Sequence, residues 1–219
     1  MPDLGFRITG AEPAARGLTP LLHFKLEITS TPSTERIYAL ILQAQLQIQC
    51  PQRRYNDQEK EKLLELFGTP DRWGQTLRNK LWTHTGASLG QFSGRAETVL
   101  PVQCTYDLNV IATKYFQGLE TGEVPLLFLF SGTVFYAGPE GQLQVQPIPW
   151  DKECTFRLPL EVWQLMMERH YPNSAWIALH RDVFERLCAY RRRHGFATWE
   201  QAIEQLLPAE RETNAHTGA

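Results

Sequence analysis

The stretch that decides the fold is LILQAQLQIQC, residues 40–50, in which apolar and polar side chains alternate. Successive side chains of a β-strand point to opposite faces, so one face of this strand would be apolar and the other would carry glutamines. A row of glutamines indicates a face in contact with water, which is typical of antiparallel sheets because parallel sheets are normally covered on both sides. The sequence therefore predicts an antiparallel sheet that packs on the core through one face.

Other runs of similar character predict further strands. They are residues 22–28, 100–110, 126–136, 143–145 and 154–158. The run 126–136 is apolar in both alternating sets, which predicts a central strand buried on both faces. The turn residues from Gly138 to Gly141 precede the run 143–145 and predict a hairpin. We expect at least six strands in an antiparallel sheet or sandwich.

A helical insertion is predicted at about residues 57–83. Asn56 stands at an N-cap position with Glu59 three residues later, which is the pattern of a capping box. A second helical stretch follows, in which Trp73 and Leu81 share one face. The insertion would interrupt the series of strands.

The last quarter of the chain is predicted to be helical. Pro159 favours the start of a helix that runs to His170, and a second helical pattern covers residues 180–193. Thr198 with Gln201 predicts the start of a last helix.

These patterns predict an α+β fold in three parts. Residues 1–158 would form the antiparallel β domain with its helical insertion at about 57–83. Residues 159–207 would form a C-terminal helical segment packed on that domain, and residues 208–219 a flexible tail.

Composition excludes several classes of function. Hydrophobic residues make up 42% and charged residues 21% of the 219 residues, which excludes a disordered or fibrous chain. The net charge of -2 and the pI of 6.3 offer no basic face for a phosphate backbone, and no apolar run approaches the ~20 residues of a membrane span. We therefore expect no nucleic acid and no membrane among the partners. The four widely spaced cysteines favour a cytoplasmic location.

Neither a metal nor a cofactor is expected. The six histidines form no HxxxH or HExxH pair, and none is spaced from a cysteine as in a zinc site. The sequence Cys104-Thr105-Tyr106-Asp107 gathers a thiol, a phenol and a carboxylate, but strand alternation places Cys104 and Asp107 on opposite faces. An enzyme whose site is assembled from scattered residues around Tyr106 and Asp107 stays open as an alternative.

The loop Arg53-Arg54-Tyr55 is the predicted binding site for another protein, together with Trp73 of the helical insertion. A loop between a strand and a helix can present guanidinium donors and an aromatic edge to a partner, and these residue types are favoured anchors of interfaces. In the competing interpretation the arginines pair with acidic residues that follow the loop. Those residues are Asp57, Glu59 and Glu61.

Several short blocks occur in a fixed order along the chain. They are Gln52-Arg53-Arg54-Tyr55, Leu66-Phe67-Gly68, Arg72-Trp73-Gly74, Cys104-Thr105-Tyr106-Asp107, residues 125–136, Pro149-Trp150-Asp151 and Leu158-Pro159. Their order resembles an uncharacterised bacterial family, a domain of unknown function, over about residues 6–207. Members of that family tend to be encoded near nickel-iron hydrogenase genes, so the resemblance implies an accessory role.

The function expected from these observations is that of a non-enzymatic, cytoplasmic accessory or scaffold protein that binds another protein. The family resemblance implies that the partner is related to a nickel-iron hydrogenase. Residues 20–29 and 37–48 also look similar in layout to the opening strands of the export chaperone SecB, which implies a chaperone as a further alternative. The oligomeric state is left open.

Overall fold

Nine strands and several α-helices make up the described part of the chain, residues 2–105 and 110–207 of a computed structural model. The strands are β1 (Asp3–Pro13), β2 (Leu21–Thr31), β3 (Arg36–Ile48), β4 (Lys80–Leu89), β5 (Phe92–Ser93), β6 (Arg95–Gln103), β7 (Glu123–Ala137), β8 (Leu143–Pro147) and β9 (Glu153–Pro159). The helices are α1 (Asp57–Lys62), α2 (Leu64–Phe67), α3 (Trp73–Thr76), α4 (Val110–Gly118), α5 (Leu160–His170), α6 (Arg181–His194) and α7 (Trp199–Glu204), with 3-10 turns at Cys50–Gln52 and Pro70–Arg72. Among the described residues, no helix has both the length and the apolar character that crossing a membrane requires.

The strands form two antiparallel sheets. One sheet has three strands in the order β1-β2-β6, and the other has six strands with β3 and β7 at its centre. β4 and β5 pair with one side of β3, whereas β8 and β9 pair with the far side of β7. The predicted α+β class, with an antiparallel sheet of at least six strands, is confirmed. β2 and β3, whose layout resembles the opening strands of SecB, belong to different sheets.

The core lies between the two sheets. Phe24 of β2 meets Phe128 of β7 with ring centroids 5.2 Å apart, and Trp82 of β4 with centroids 6.2 Å apart. Phe6 of β1 stacks on Phe130 of β7 at 4.4 Å. The inner faces of the sheets therefore pack face to face as a sandwich, and aromatic rings supply much of the buried apolar area.

The alternation in residues 40–50 has the predicted consequence in β3. Leu40, Leu42 and Leu46 are buried against the core, whereas Gln43 is exposed and Gln45 is half-buried on the opposite face. Burial of the leucine row stabilises the sandwich, and the glutamine row keeps the outer face hydrated.

β7 is central, as predicted, but only one of its faces is fully buried. Phe128 and Phe130 are buried, whereas Leu127 and Leu129 on the opposite face are half-buried. Leu129 lies directly beside Gln45 of β3, so it shares the glutamine-rich outer face. The prediction of burial on both faces is wrong, because each sheet of an antiparallel sandwich covers one face and leaves the other accessible to water.

The helical insertion is shorter than predicted. α1 begins behind the predicted capping box of Asn56, but helical structure ends with α3 at Thr76. Leu81, which shares a helical spacing with Trp73, lies in β4 and pairs with Gln47 of β3. Pairing with a neighbouring strand thus overrides the local helical period.

Two strand assignments also differ from the sequence pattern. The run 100–110 predicts one continuous strand, but β6 ends at Gln103 and α4 begins at Val110. β1 is not among the predicted strands, although Leu4, Phe6 and Ile8 alternate with small or polar residues, and it pairs with β2 along nearly its whole length.

The chain divides into two compact units, Met1–Ser174 and Ala175–Ala219. α5 belongs to the first unit, where its Trp163 stacks on Phe116 of α4 at 5.0 Å. The first unit ends at Ser174, and the buried side chains of α5 account for its place there. The predicted tail, residues 208–219, lies outside the described residues.

Candidate functional site

Arg53 of the predicted binding loop is held inside the chain by Glu59 of α1. Nη1 of Arg53 donates to Oε2 of Glu59 at 2.9 Å, and Nη2 donates to Oε1 at 2.8 Å. The two side chains are 8% and 3% exposed. Two guanidinium N–H groups thus bind the two carboxylate oxygens in one plane. This geometry agrees with the competing interpretation, in which the arginine pairs with a nearby acidic residue.

The remaining donors of Arg53 bind backbone carbonyls. Nε donates to the carbonyl of Glu123 at 3.2 Å, Nη1 to that of Arg54 at 3.3 Å and Nη2 to that of Thr121 at 2.5 Å. Glu59 in turn accepts hydrogen bonds from the backbone N–H groups of Asn56 and Glu120, at 3.2 and 2.9 Å. One ion pair therefore joins the loop, the start of α1 and the turn that leads into β7.

The electrostatics of Glu59 follow from these contacts. Burial disfavours its carboxylate, but the hydrogen bonds from Arg53 and from two backbone N–H groups outweigh burial and lower the pKa of Glu59. Burial likewise opposes the charge of Arg53, but Glu59 raises the pKa of Arg53 on balance. Each partner thus keeps the other charged.

Tyr55 and Trp73 are also engaged within the chain. The Tyr55 hydroxyl donates to the carbonyl of Cys50 at 2.8 Å and lies 2.8 Å from the Tyr115 hydroxyl. Its ring meets that of Trp73 edge to face at 5.2 Å, and Nε1 of Trp73 donates to the carbonyl of Gly68 at 2.9 Å. Burial raises the pKa of Tyr55, so its phenol stays protonated and keeps this network intact.

The exposed part of this site is a surface depression with a volume of about 690 Å³. Arg54, Gln52, Glu123 and Arg157 are among the residues that line it. Arg54 and Arg157 are both exposed, and neither forms an ion pair with a residue in the described part of the chain. The structure therefore places Arg54 and a second arginine in the lining of one depression, and the hydrogen bonds of Arg53 hold the backbone beside them.

Sequence reasoning missed Arg157. It lies in β9, about a hundred positions after the loop, and the pairing of β9 with β7 brings it to the depression. The only local signal is its place in the alternation of β9, where Cys154, Phe156 and Leu158 point inward and Arg157 points outward.

The alternative of an enzyme site rests on Tyr106 and Asp107. Tyr106 and Asp107 lie outside the described residues. Burial raises the pKa of the Cys104 thiol to about 12 and that of Cys50 to about 11, so both thiols stay protonated at neutral pH and are poor nucleophiles. Within residues 2–105 and 110–207, no three His, Cys, Asp or Glu side chains are grouped so that they could hold a metal ion.

Comparison with known proteins gives one match over nearly the whole chain. The model of a family of unknown function (DUF6084) matches residues 1–215. No curated protein matches the chain. Among solved structures, the chain is similar to an ApaA-like protein from Bordetella pertussis, with 13% identity over 72% of this chain and 95% of that one and a TM-score of 0.28.

Two further structures are similar at the same level. A late embryogenesis abundant (LEA)-like protein shares 12% identity over 73% of this chain and 72% of that one, with a TM-score of 0.31. A β-glucosidase from Kluyveromyces marxianus shares 6% identity over 71% of this chain but only 15% of its own, with a TM-score of 0.26.

Proposed function

We propose that this chain, which belongs to the family of unknown function DUF6084, is a cytoplasmic accessory or scaffold protein that binds another protein and catalyses no reaction itself. The observation that carries the proposal is the position of Arg54 and Arg157. Both arginines line one depression, both are exposed, and neither is paired with a described residue. Exposed guanidinium groups are suited to bind carboxylates of another chain.

The loop is well suited to this role because its other residues are fixed. Arg53, Tyr55 and Trp73 hold the backbone through the contacts described above. A loop that is already ordered loses less conformational entropy on binding, so more of the contact energy appears as affinity. Arg54 and Arg157 would contact acidic side chains of the partner, and Arg53, Tyr55 and Trp73 would position Arg54.

The finer proposal is that the partner takes part in nickel-iron hydrogenase assembly or function. Its support is the family resemblance, whose members tend to be encoded near hydrogenase genes. The chemistry of the depression adds that the partner should present acidic residues at the contact.

The test is a site-specific photo-cross-link in the native host. A photoreactive residue in place of Gln52, which lines the depression, is compared with one in place of Gln75, an exposed residue of α3 outside it. We expect a defined partner to be linked from position 52 and not from position 75. The link should be lost in Arg54→Glu and Arg157→Glu but kept in Arg78→Glu, a matched change at another exposed arginine.

Two results would contradict the proposal. One is equal labelling from positions 52 and 75. The other is a link from position 52 that persists in the Arg54→Glu and Arg157→Glu variants. In either case the depression is not the contact surface.

A further inference from the structure

The second compact unit contains an apolar groove with arginines at its rim. The groove has a volume of about 440 Å³ and lies between α6 and the turn that follows α7. Its apolar lining includes Val183, Leu187 and Tyr190 of α6 and Leu206 after α7, and Arg186 and Arg193 of α6 stand beside them.

The floor of the groove is one stripe of α6. Val183, Leu187 and Tyr190 are spaced i, i+4 and i+7, so they share a helix face. Val183 is 41% exposed and Leu206 is 54% exposed, so this apolar surface is open to solvent. An apolar groove of this kind is the usual receptor for the apolar face of an amphipathic helix.

α7 packs on a different stripe of α6. Trp199 of α7 lies 5.6 Å from the ring of Phe184, and the guanidinium of Arg191 lies over the Trp199 ring at 4.1 Å. Gly195, with a φ of +68°, ends α6 in the left-handed conformation and allows the chain to turn back. Trp199 thus contacts Phe184 and Arg191, whereas Leu187 and Tyr190 line the groove, where the Tyr190 ring also lies 4.4 Å from the ring of His194.

The charge of α6 indicates what the groove would accept. The helix carries five arginines against two acidic residues, whereas the whole chain has a net charge of -2. Arg186 and Arg193 are seven residues apart, which separates them by about 10 Å along the helix axis. Neither is ion-paired with a described residue. Two guanidinium groups at this distance would match carboxylates two turns apart on a partner helix.

We propose that this groove binds an acidic amphipathic helix of another protein. The proposal is independent of the Arg54 site, because every residue that it uses lies in the second unit. The chain's own residues 208–219 include Glu210 and Glu212, but no Leu, Ile, Val, Met, Phe, Tyr or Trp. They lack the apolar stripe that the groove would take up.

The experiment measures binding of designed helical peptides to the full-length protein by fluorescence anisotropy. The peptides share one leucine stripe and differ only in their polar face, which carries glutamate, glutamine or lysine. We expect the glutamate peptide to bind about tenfold or more tighter than the lysine peptide, because like charges at the rim oppose binding. The glutamine peptide should lie between them.

Two adjacent arginines provide a matched pair of variants. Arg193 lines the groove, whereas Arg192 is an exposed residue of the same helix end that does not. Arg193→Glu should weaken binding of the glutamate peptide about fivefold or more, whereas Arg192→Glu should change the affinity for this peptide by less than about twofold. The double variant Arg186→Glu/Arg193→Glu should prefer the lysine peptide. Circular dichroism of each variant checks that the helices are retained.

Other occupants give other results, and each would overturn the proposal. Equal affinity for the glutamate and lysine peptides, or equal effects of Arg192→Glu and Arg193→Glu, would show that the arginines at the rim do not select an acidic helix. Preferential binding to phosphatidylserine vesicles would assign the surface to a membrane. A dimer in sedimentation that Arg193→Glu dissociates would assign it to a second copy, and much tighter peptide binding after deletion of residues 208–219 would assign it to the chain's own tail.

Discussion

The guanidinium of Arg53 and the carboxylate of Glu59 form a buried two-bond ion pair across the start of α1. The same guanidinium holds the carbonyls of Thr121 and Glu123, so residues about seventy positions apart in the sequence meet at one side chain. The pair thus belongs to the architecture, whereas the neighbouring Arg54 is exposed.

Removal of Arg53 should therefore destabilise the fold. Loss of one member of a buried ion pair leaves the other charge unpaired in a poorly solvated place, which costs about 3 kcal/mol. We expect Arg53→Ala to lower the free energy of unfolding by about that amount in urea titrations. Arg54→Ala is the matched control at the exposed neighbouring position, and it should change the free energy of unfolding by less than about 0.5 kcal/mol. Equal effects of the two changes would show that the pair has no structural role.

The stability that Glu59 provides should depend on pH. The pKa of Glu59 is lowered in the folded state, so its contribution is complete above the pKa of the unfolded chain, about 4.3 for glutamate, and is lost as the pH falls through the lower folded value. The difference in free energy of unfolding between the parent and Glu59→Gln should be constant from pH 7 to about 5 and shrink below about pH 4.

The exposed Glu61 of the same helix gives the control for this measurement. Glu61→Gln should leave the free energy of unfolding close to that of the parent at every pH. A parent-minus-Glu59→Gln difference that stays constant or grows down to pH 3 would contradict the assigned direction of the pKa.

The parts of the fold that the sequence predicts are those fixed by local pattern. The alternation in residues 40–50 predicts the inner and outer faces of β3, and the capping box at Asn56 and Glu59 predicts the start of α1. β4 is not predicted because its pairing with β3, about forty positions earlier in the chain, determines its structure more than its own composition does. The apolar residues on the outer face of β7 predict burial. They are only half-buried, because they lie beside the glutamines of β3 on the face in contact with water.

The candidate site also combines contacts that local sequence predicts with contacts that only the tertiary structure creates. The pairing of Arg53 with Glu59 is predicted as one alternative because the two residues are only six positions apart. Arg157 was not foreseeable, because sheet topology alone brings β9 next to the loop. The exposure of Arg54 is not predictable either. The carbonyl of Thr121, in the turn before β7, accepts a hydrogen bond from Arg53 instead of Arg54, and this turn is distant in the sequence.

The two faces of β7 can be separated by one substitution on each. Phe130 is 2% exposed and stacks on Phe6, whereas Leu129, the preceding residue of the same strand, is half-buried on the outer face. Truncation of a buried phenylalanine alone costs about 3 to 5 kcal/mol, and a buried carboxylate without a partner adds to that cost. Phe130→Asp should therefore abolish the cooperative thermal transition. Leu129→Asp should fold, with a lower melting temperature, because its carboxylate can reach water beside the glutamines of β3. If Phe130→Asp melts as high as Leu129→Asp, the core does not lie between the two sheets on this side of β7.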